Sequence, residues 1–322
     1  MKSTLSSIVV LLCALALPAS AESLTAVTYN VGLLKVFGSN LVPEVDARAA
    51  AAPAVIARFA SENAPDVLLL EEIWRDAYAK DIEKALAPLG YAFVYPNVHT
   101  IVGLTSGMLL AVKAPLRIVD WKFTPFARAT FTGGFARKGV LEATIETGGG
   151  LRFAFLGTHT EPLDTNNGIP KDPAQVAVFA SQAAQIRAAL EARSGSGAVP
   201  VMMLGDFNVG PGYADESYHA VADAPGLRDV AVVLSPPAPP VTWDPQNPLV
   251  KYGGFPNEPP ATIDHVFIRD GSTLLWKAVS ERLVFDGLVD GLTVLPSKGA
   301  ASVPTPLSDH YGFEADVELS GS

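Results

Sequence analysis

Residues 201–210 read VMMLGDFNVG. An apolar run of the length expected for a buried strand ends abruptly in Gly205, Asp206 and Asn208. Such a strand delivers its polar tail to one rim of a sheet. The tail holds two oxygen-bearing side chains one residue apart, in a glycine-flanked turn that lets backbone approach a ligand. Alone, the segment reads as a strand followed by an Asx turn. The design recurs, however. AVTYN ends at Asn30, VLLLEE at Glu71 and Glu72, and FAFLGTH at His159, while TIDHVFI opens with Asp264 and His265 and PLSDHYGFEADVEL with Asp309 and His310. If the last two strands run antiparallel to the others, all these polar clusters converge on one rim of a mixed sheet arrangement.

Taken in order, Asn30 in TYNV, Glu72 in PDVLLLEE, His159 in GTHT, GDFN, TIDHVF and LSDHYG resemble the motifs of the endonuclease/exonuclease/phosphatase superfamily, from about Leu24 to the last strand. RKGVLEATI, FLGTHTEP and VTWDPQNPL resemble its neutral sphingomyelinase branch more than its deoxyribonuclease branch. The resemblance implies a four-layer α/β sandwich, with two mixed β-sheets packed face to face and helices outside. It implies a hydrolase that cleaves a phosphodiester with a divalent metal, Mg²⁺ first among candidates. Thr160 and Glu161 depart from the branch pattern, which has leucine and often glutamine at these places.

The balance of 23 Lys and Arg against 33 Asp and Glu, a formal net charge of −10, argues against a surface built to hold long polyanions by counterion release. A locally basic cleft or bridging metal ions still admit nucleic acid. Residues 1–21 carry one lysine, an apolar core from Ile8 to Leu17 and the small residues Ala19, Ser20 and Ala21, the pattern of a secretory signal cleaved before Glu22. That core is too short to span a bilayer. Cys13 is the single cysteine. A mature chain beginning at Glu22 would have no thiol for a disulfide, a cysteine nucleophile or a thiolate zinc site. The even spread of apolar runs predicts one catalytic domain over residues 22–322.

Apolar spacing predicts helices over Glu44–Asn63, Asp76–Leu86 and Asp172–Arg193, the last with Val176, Phe179, Ala183, Ile186 and Leu190 on one face and Gln182 off it. Several strands in hairpin-like succession fill Tyr91–Ile145. Strand, helix, strand repeated twice suggests two similar halves packed face to face. SPPAPPV and the Pro- and Gly-rich TWDPQNPLVKYGGFPNEPP read as loops, the second long enough to be functional. Val279–Val303 reads as a hairpin, either packed on the core or touching a membrane surface.

Glu72 is the metal ligand candidate, because Mg²⁺ prefers hard oxygens and needs only one or two carboxylates. Asn30 adds an amide oxygen. Glu71 alternates away from Glu72 and is placed outside the site. His310 is the candidate general base, with Asp264 fixing its tautomer, as the matching pair does in the superfamily. The resemblance further implies that Asp206 and Asn208 hold the attacking water and a phosphoryl oxygen, that His159 donates to the developing charge, and that Asp309 lies by the metal. Lys138 matches a lysine near the phosphate, and equally reads as a solvated hairpin cation. Trp243 is open to two readings, stacking on substrate or anchoring its loop. His265, His99 and His219 read as ordinary histidines. A zinc site of His159, His265 and His310 lacks HExxH-type spacing. The favoured substrate is a phospholipid such as sphingomyelin, with transient membrane contact. A secreted nuclease is the alternative, and an inactive module that grips phosphate headgroups a further one.

Overall fold

The computed structural model describes residues 21–36, 38–130, 133–254 and 258–322. The export reading of residues 1–21 therefore falls almost wholly outside the described residues. The principal elements in chain order are β1 (Glu22–Asn30), α1 (Val45–Asn63), β2 (Val67–Ile73), α2 (Asp76–Leu86), β3 (Tyr91–Val94), β4 (Gly107–Lys113), β5 (Arg117–Pro125), β6 (Gly139–Glu146) and β7 (Arg152–His159). They continue with α3 (Pro173–Ser194), β8 (Val201–Asp206), α4 (Asp215–Ala222), β9 (Leu227–Asp229), α5 (Val230–Leu234), α6 (Pro248–Lys251), β10 (Asp264–Arg269), β11 (Leu274–Val284) and β12 (Gly312–Gly321).

Alternation at period two sorts the apolar residues into three layers of core. On β1 and β2, Leu24, Ala26, Val67 and Leu69 face inward, where they meet Phe153, Phe155, Met202 and Leu204 of the opposing sheet. The other set on these strands, Val27, Tyr29, Leu68 and Leu70, packs under α1 and α2. Leu156, Val201 and Met203 likewise pack under α3, against Phe179, Ala183 and Ile186. The result is the expected helix, sheet, sheet, helix sandwich. Its two six-stranded sheets have the orders β11-β12-β1-β2-β4-β3 and β9-β10-β8-β7-β6-β5.

Strand direction places the site. β1 and β2 are parallel with Asn30 opposite Glu71, and β7 and β8 are parallel with His159 opposite Asp206. β12 runs antiparallel to β1, and β10 antiparallel to β8 with Asp264 opposite Asp206. The polar clusters thus reach one rim, as the sequence implied. Gly205 has a different role from the expected one. It lies within β8, and a Cβ there would stand 2.0 Å from the Thr158 carbonyl oxygen, so the missing side chain admits the neighbouring strand rather than a ligand.

Helix ends follow their sequences. Asp172 caps α3 by accepting from the Ala174 N–H at 2.8 Å, Pro173 opens the helix and Gly195 closes it at φ 54°. One residue of α3 corrects the expectation: Gln182 is buried, accepting from the Glu161 N–H at 2.9 Å and donating to the Arg128 carbonyl at 3.0 Å. The long Pro-rich loop contains the short helix α6, capped by Asn247, whose side chain accepts from the Leu249 N–H. Among the described residues no helix is long and apolar enough to cross a membrane.

The 279–303 stretch is not one hairpin. Its first part belongs to β11, paired with β12, and the rest is a loop holding a short ladder of Thr293–Val294 with Val303–Pro304. Phe285 packs inward, its ring stacked on Tyr29 at 4.2 Å and 8° and touching Phe59 at 4.4 Å. Phe285→Ala is therefore expected to lower stability by on the order of 2 kcal/mol, read from urea midpoints. An unchanged midpoint would show that the ring is free for surface contact.

Candidate active site

The rim is built from strand ends and the loops that leave them. At the end of β2 the pairing with β4 shifts between Leu70 and Ile73, and Glu72 adopts φ 61°. A non-glycine residue in this conformation is uncommon and marks a site whose surroundings enforce it. The kink turns Glu72 toward His159, with Oε1 at 4.0 Å from Nε2. Its Oε2 is shielded from solvent and has no protein partner. Burial raises the Glu72 carboxyl, and the nearby Asp309 charge raises it further. Glu71 faces the other way, as alternation required, but it is buried beneath the rim and accepts from Thr28 Oγ1 at 2.6 Å. Burial, together with the Asp264 and Asp206 charges, raises it well above the usual carboxylate range.

Asn30 bridges the sheets. Its amide nitrogen donates to Asp206 Oδ2 at 2.8 Å and its amide oxygen accepts from the Gly32 N–H at 2.9 Å. Asp206 also accepts from the Asn208 N–H at 2.8 Å, the predicted Asx turn, with Asn208 at φ 53°. Asn208 Nδ2 donates to the Thr160 carbonyl at 3.1 Å. Burial, aided by the Asp264 charge, pushes the Asp206 carboxyl up to about 7.

His310 and Asp309 lie in the loop leading into β12, the one arrangement that lets both serve a single site. Ser308 shapes that loop, its Oγ accepting from the His310 N–H at 3.3 Å and donating to Asp309 Oδ1 at 3.1 Å. His310 Nδ1 meets Asp264 Oδ2 at 2.9 Å, and its Nε2 stands 3.9 Å from Asp206 Oδ2. Burial pushes this imidazole down, but the Asp264 and Asp206 charges and the Asp264 hydrogen bond outweigh it and hold the ring well above its ordinary value. Ligand atoms of Asp206, Asp264 and His310 lie within 4.8 Å of one another, close enough to hold a metal ion.

His159 is neutral: burial and the Lys138 and His310 charges hold it well below the ordinary value. The Lys138 ammonium donates to His159 Nε2 at 2.9 Å and to the Thr160 carbonyl at 2.8 Å, so it is a site cation and not a solvated hairpin residue. In this arrangement His159 Nε2 accepts, while its Nδ1 is buried without a partner. Trp74, which the sequence did not single out, lies against the same imidazole at 5.7 Å between ring centroids.

Trp243 packs into the fold beside the site. Its side chain is 6% exposed within the core beneath the second sheet, and its backbone bridges Ala261 and His310. The neighbouring Thr242 Oγ1 accepts from the Ile263 and Asp264 N–H groups, and Asn247 Nδ2 donates to the Ser308 carbonyl at 2.9 Å. The TWDPQN segment thus steadies both members of the Asp264–His310 pair.

His265 is the satisfied histidine expected, and it rules out the three-histidine zinc arrangement. Nδ1 meets Asp229 Oδ2 at 2.7 Å and Nε2 meets the Val209 carbonyl at 2.9 Å, so an imidazolium donates to both. His99 and His219 pair with Asp76 and Asp223 outside the site.

The Endonuclease/Exonuclease/phosphatase family profile matches residues 27–310. The chain belongs to this family. No curated protein matches the sequence. Among solved structures, sphingomyelinase C from Streptomyces griseocarneus superposes with TM-score 0.67 at 22% identity, covering 92% of this chain and 99% of that one. A double mutant of beta toxin from Staphylococcus aureus with bound magnesium ions gives 0.68 at 19%, covering 91% and 99%. TDP2 from D. rerio, complexed with a single-strand DNA product, gives 0.66 at 16%, covering 92% and 98%. At these identities the likeness is one of fold.

The His265–Asp229 pair has a pH signature. Burial pushes His265 down, yet the Asp229 charge and hydrogen bond and the Val209 carbonyl raise it on balance. Its contribution to stability is therefore fully present below the unfolded value of about 6.5 and is lost as pH rises through the raised folded value. Asp229→Asn is expected to abolish that decline, and to cost on the order of 3 kcal/mol near pH 6 by leaving the imidazole unpaired. Urea midpoints across neutral pH check this, and an unchanged slope would contradict it.

Proposed function

We propose that residues 22–322 form a single catalytic domain, exported behind residues 1–21, that hydrolyses a phosphodiester by metal- and histidine-assisted attack of water. The substrate we favour is a phospholipid such as sphingomyelin. The observation that carries the reading is the Asp264–His310 hydrogen bond, which leaves Nε2 facing Asp206 in a rim that also holds the unpartnered Glu72 oxygen.

The donor set suits a hard divalent cation. Glu72 offers a buried oxygen with no hydrogen-bond partner, the Asp309 charge acts on the same carboxyl, and the Asn30 amide oxygen, which accepts from the Gly32 N–H, would complete an oxygen set suited to Mg²⁺. Bound there, the ion would polarise a phosphoryl oxygen and offset its charge. The remaining work falls to the protein. Asp264 holds Nδ1 of His310, so Nε2 is the atom that takes the proton from water once the ring has lost its own Nε2 proton, above its raised value. Asp206 and Asn208 orient that water and a phosphoryl oxygen. Lys138 supplies positive charge for the developing oxyanion, and His159, accepting from that ammonium through Nε2, holds it in place.

The lipid assignment draws on the rim loops. Leu41, Ile101, Ile169, Leu288 and Leu295 are exposed on connections that leave strands at the same rim as the site. The chain as a whole is acidic, with net charge −10, which disfavours long polyanions.

Removing either His310 or Asp264 is expected to cost about 10² to 10⁴ in rate, with the double variant little worse than the worse single one. Asp264→Asn should also move the acid limb of the pH–rate profile downward, because the lost charge is one that raises His310. Simple multiplication of the two losses would show that they are not partners.

Substrate and metal are tested together by a Mg²⁺-supplemented panel of sphingomyelin vesicles, phosphatidylcholine, plasmid DNA and a soluble aryl diester. Vesicle turnover should dominate, chelator should abolish it, and Glu72→Gln should remove most activity in a folded protein. Activity unaffected by chelator would overturn the metal reading. Plasmid degradation without phosphocholine release would replace lipid by nucleic acid, and turnover of nothing would leave a headgroup-binding module.

A further inference from the structure

Arg48 is fully buried on the core face of α1, among Val45, Ala52, Ile56 and Ala60. Buried arginines are normally paired with carboxylates, yet Arg48 has no ion-pair partner among the described residues. Its guanidinium is satisfied by backbone instead. Nε donates to the Pro43 carbonyl at 2.9 Å, Nη1 to Val31 at 2.9 Å and Leu307 at 3.1 Å, and Nη2 to Gly32 at 2.6 Å. Val31 and Gly32 directly follow Asn30, and Leu307 lies two residues before Asp309. One rigid fork therefore joins the two segments that carry these candidate ligands.

The segments meet closely. Gly32 sits at φ 65°, and a Cβ there would lie 2.5 Å from Asp309 Oδ1, 3.0 Å from Ser308 Oγ and 3.2 Å from Arg48 Nη1. The Gly32 N–H also donates to the Asn30 amide oxygen, so the position of Gly32 sets that of the amide. We propose that Arg48 is a positioning residue for the cation site, holding Asn30 and Asp309 in register through the carbonyls of Val31, Gly32 and Leu307. This rests on the metal-dependent reading above.

Charge and positioning predict opposite signs. A guanidinium near a cation site repels the incoming ion, so if charge were its main influence, losing Arg48 would tighten metal binding. If the fork orders the ligands, losing it weakens binding, as loss of groups that orient ligands does by about 10- to 100-fold. Arg48→Lys separates the two, because it keeps the charge and loses the planar fork. Gly32→Ala approaches the same contact from the other side, its methyl displacing the Asp309 carboxylate.

The test is calorimetric titration of Mg²⁺ into the full chain and both variants, with diester kinetics at saturating Mg²⁺. Both variants are expected to bind Mg²⁺ about 10- to 100-fold more weakly, with KM for the diester near the wild-type value. Wild-type affinity in Arg48→Lys, with only a lowered thermal midpoint, would overturn the inference and leave Arg48 a core residue. Should Arg48→Lys fail to fold, Arg48→Gln decides instead, because it loses both charge and fork: weaker binding supports the inference, and tighter or unchanged binding overturns it. Absence of Mg²⁺ binding by the wild type would overturn it through failure of the metal reading, a result distinct from the others.

Discussion

The structure depends on the burial of negative charge at one rim. Asp206, Asp264, Asp309 and Glu71 are buried there and Glu72 is largely so, with Lys138, Arg48 and the imidazole of His310 as the balancing cations among the described residues. Carboxylates so placed must be protonated, paired or bound to a cation. Burial raises Glu71 and Asp206, acidic neighbours raise His310, and one Glu72 oxygen is buried without a hydrogen-bond partner.

Two parallel strand pairs, each with an antiparallel neighbour, make such a cluster possible. Side chains from both sheets then meet across the sandwich, and the Asn30–Asp206 hydrogen bond is one direct result. The supporting residues are backbone-directed: Thr242 holds the start of β10, Asn247 holds Ser308, and Arg48 holds the segments after β1 and before β12. Rigid support of this kind keeps charged groups close in a water-poor site without reorganisation during reaction.

Much of this was legible in the sequence because strand ends carry strong local signals. Apolar runs that stop at polar pairs placed Asn30, Glu72, His159, Asp206, Asp264 and His310 on one rim, and the pairing directions bear that out. What escaped was either long-range or masked by composition. Arg48 looks solvated beside Asp46, although it shares the helical face of Val45, Ala52 and Ile56, and that spacing was the available signal. Gln182 was hidden similarly, as a polar residue on an apolar face. Trp243 and Phe285 could not be placed because their partners, His310 and Tyr29, are remote in sequence. The kink at Glu72 depends on how β2 meets β4, which no local pattern reveals.

Sphingomyelinase, toxin and DNA-processing folds all superpose on this chain, so chemistry and substrate have to be decided at the rim and its loops. The proposed function requires that the rim carboxylates hold a divalent cation. Its most direct test is anomalous diffraction from crystals soaked in Mn²⁺, a scatterer that accepts the same oxygen ligands. A peak is expected at bonding distance from Glu72 Oε2, with the Asn30 amide oxygen or Asp309 in the same shell. A soaked crystal with no peak at this rim, or with ions only elsewhere on the surface, would contradict it.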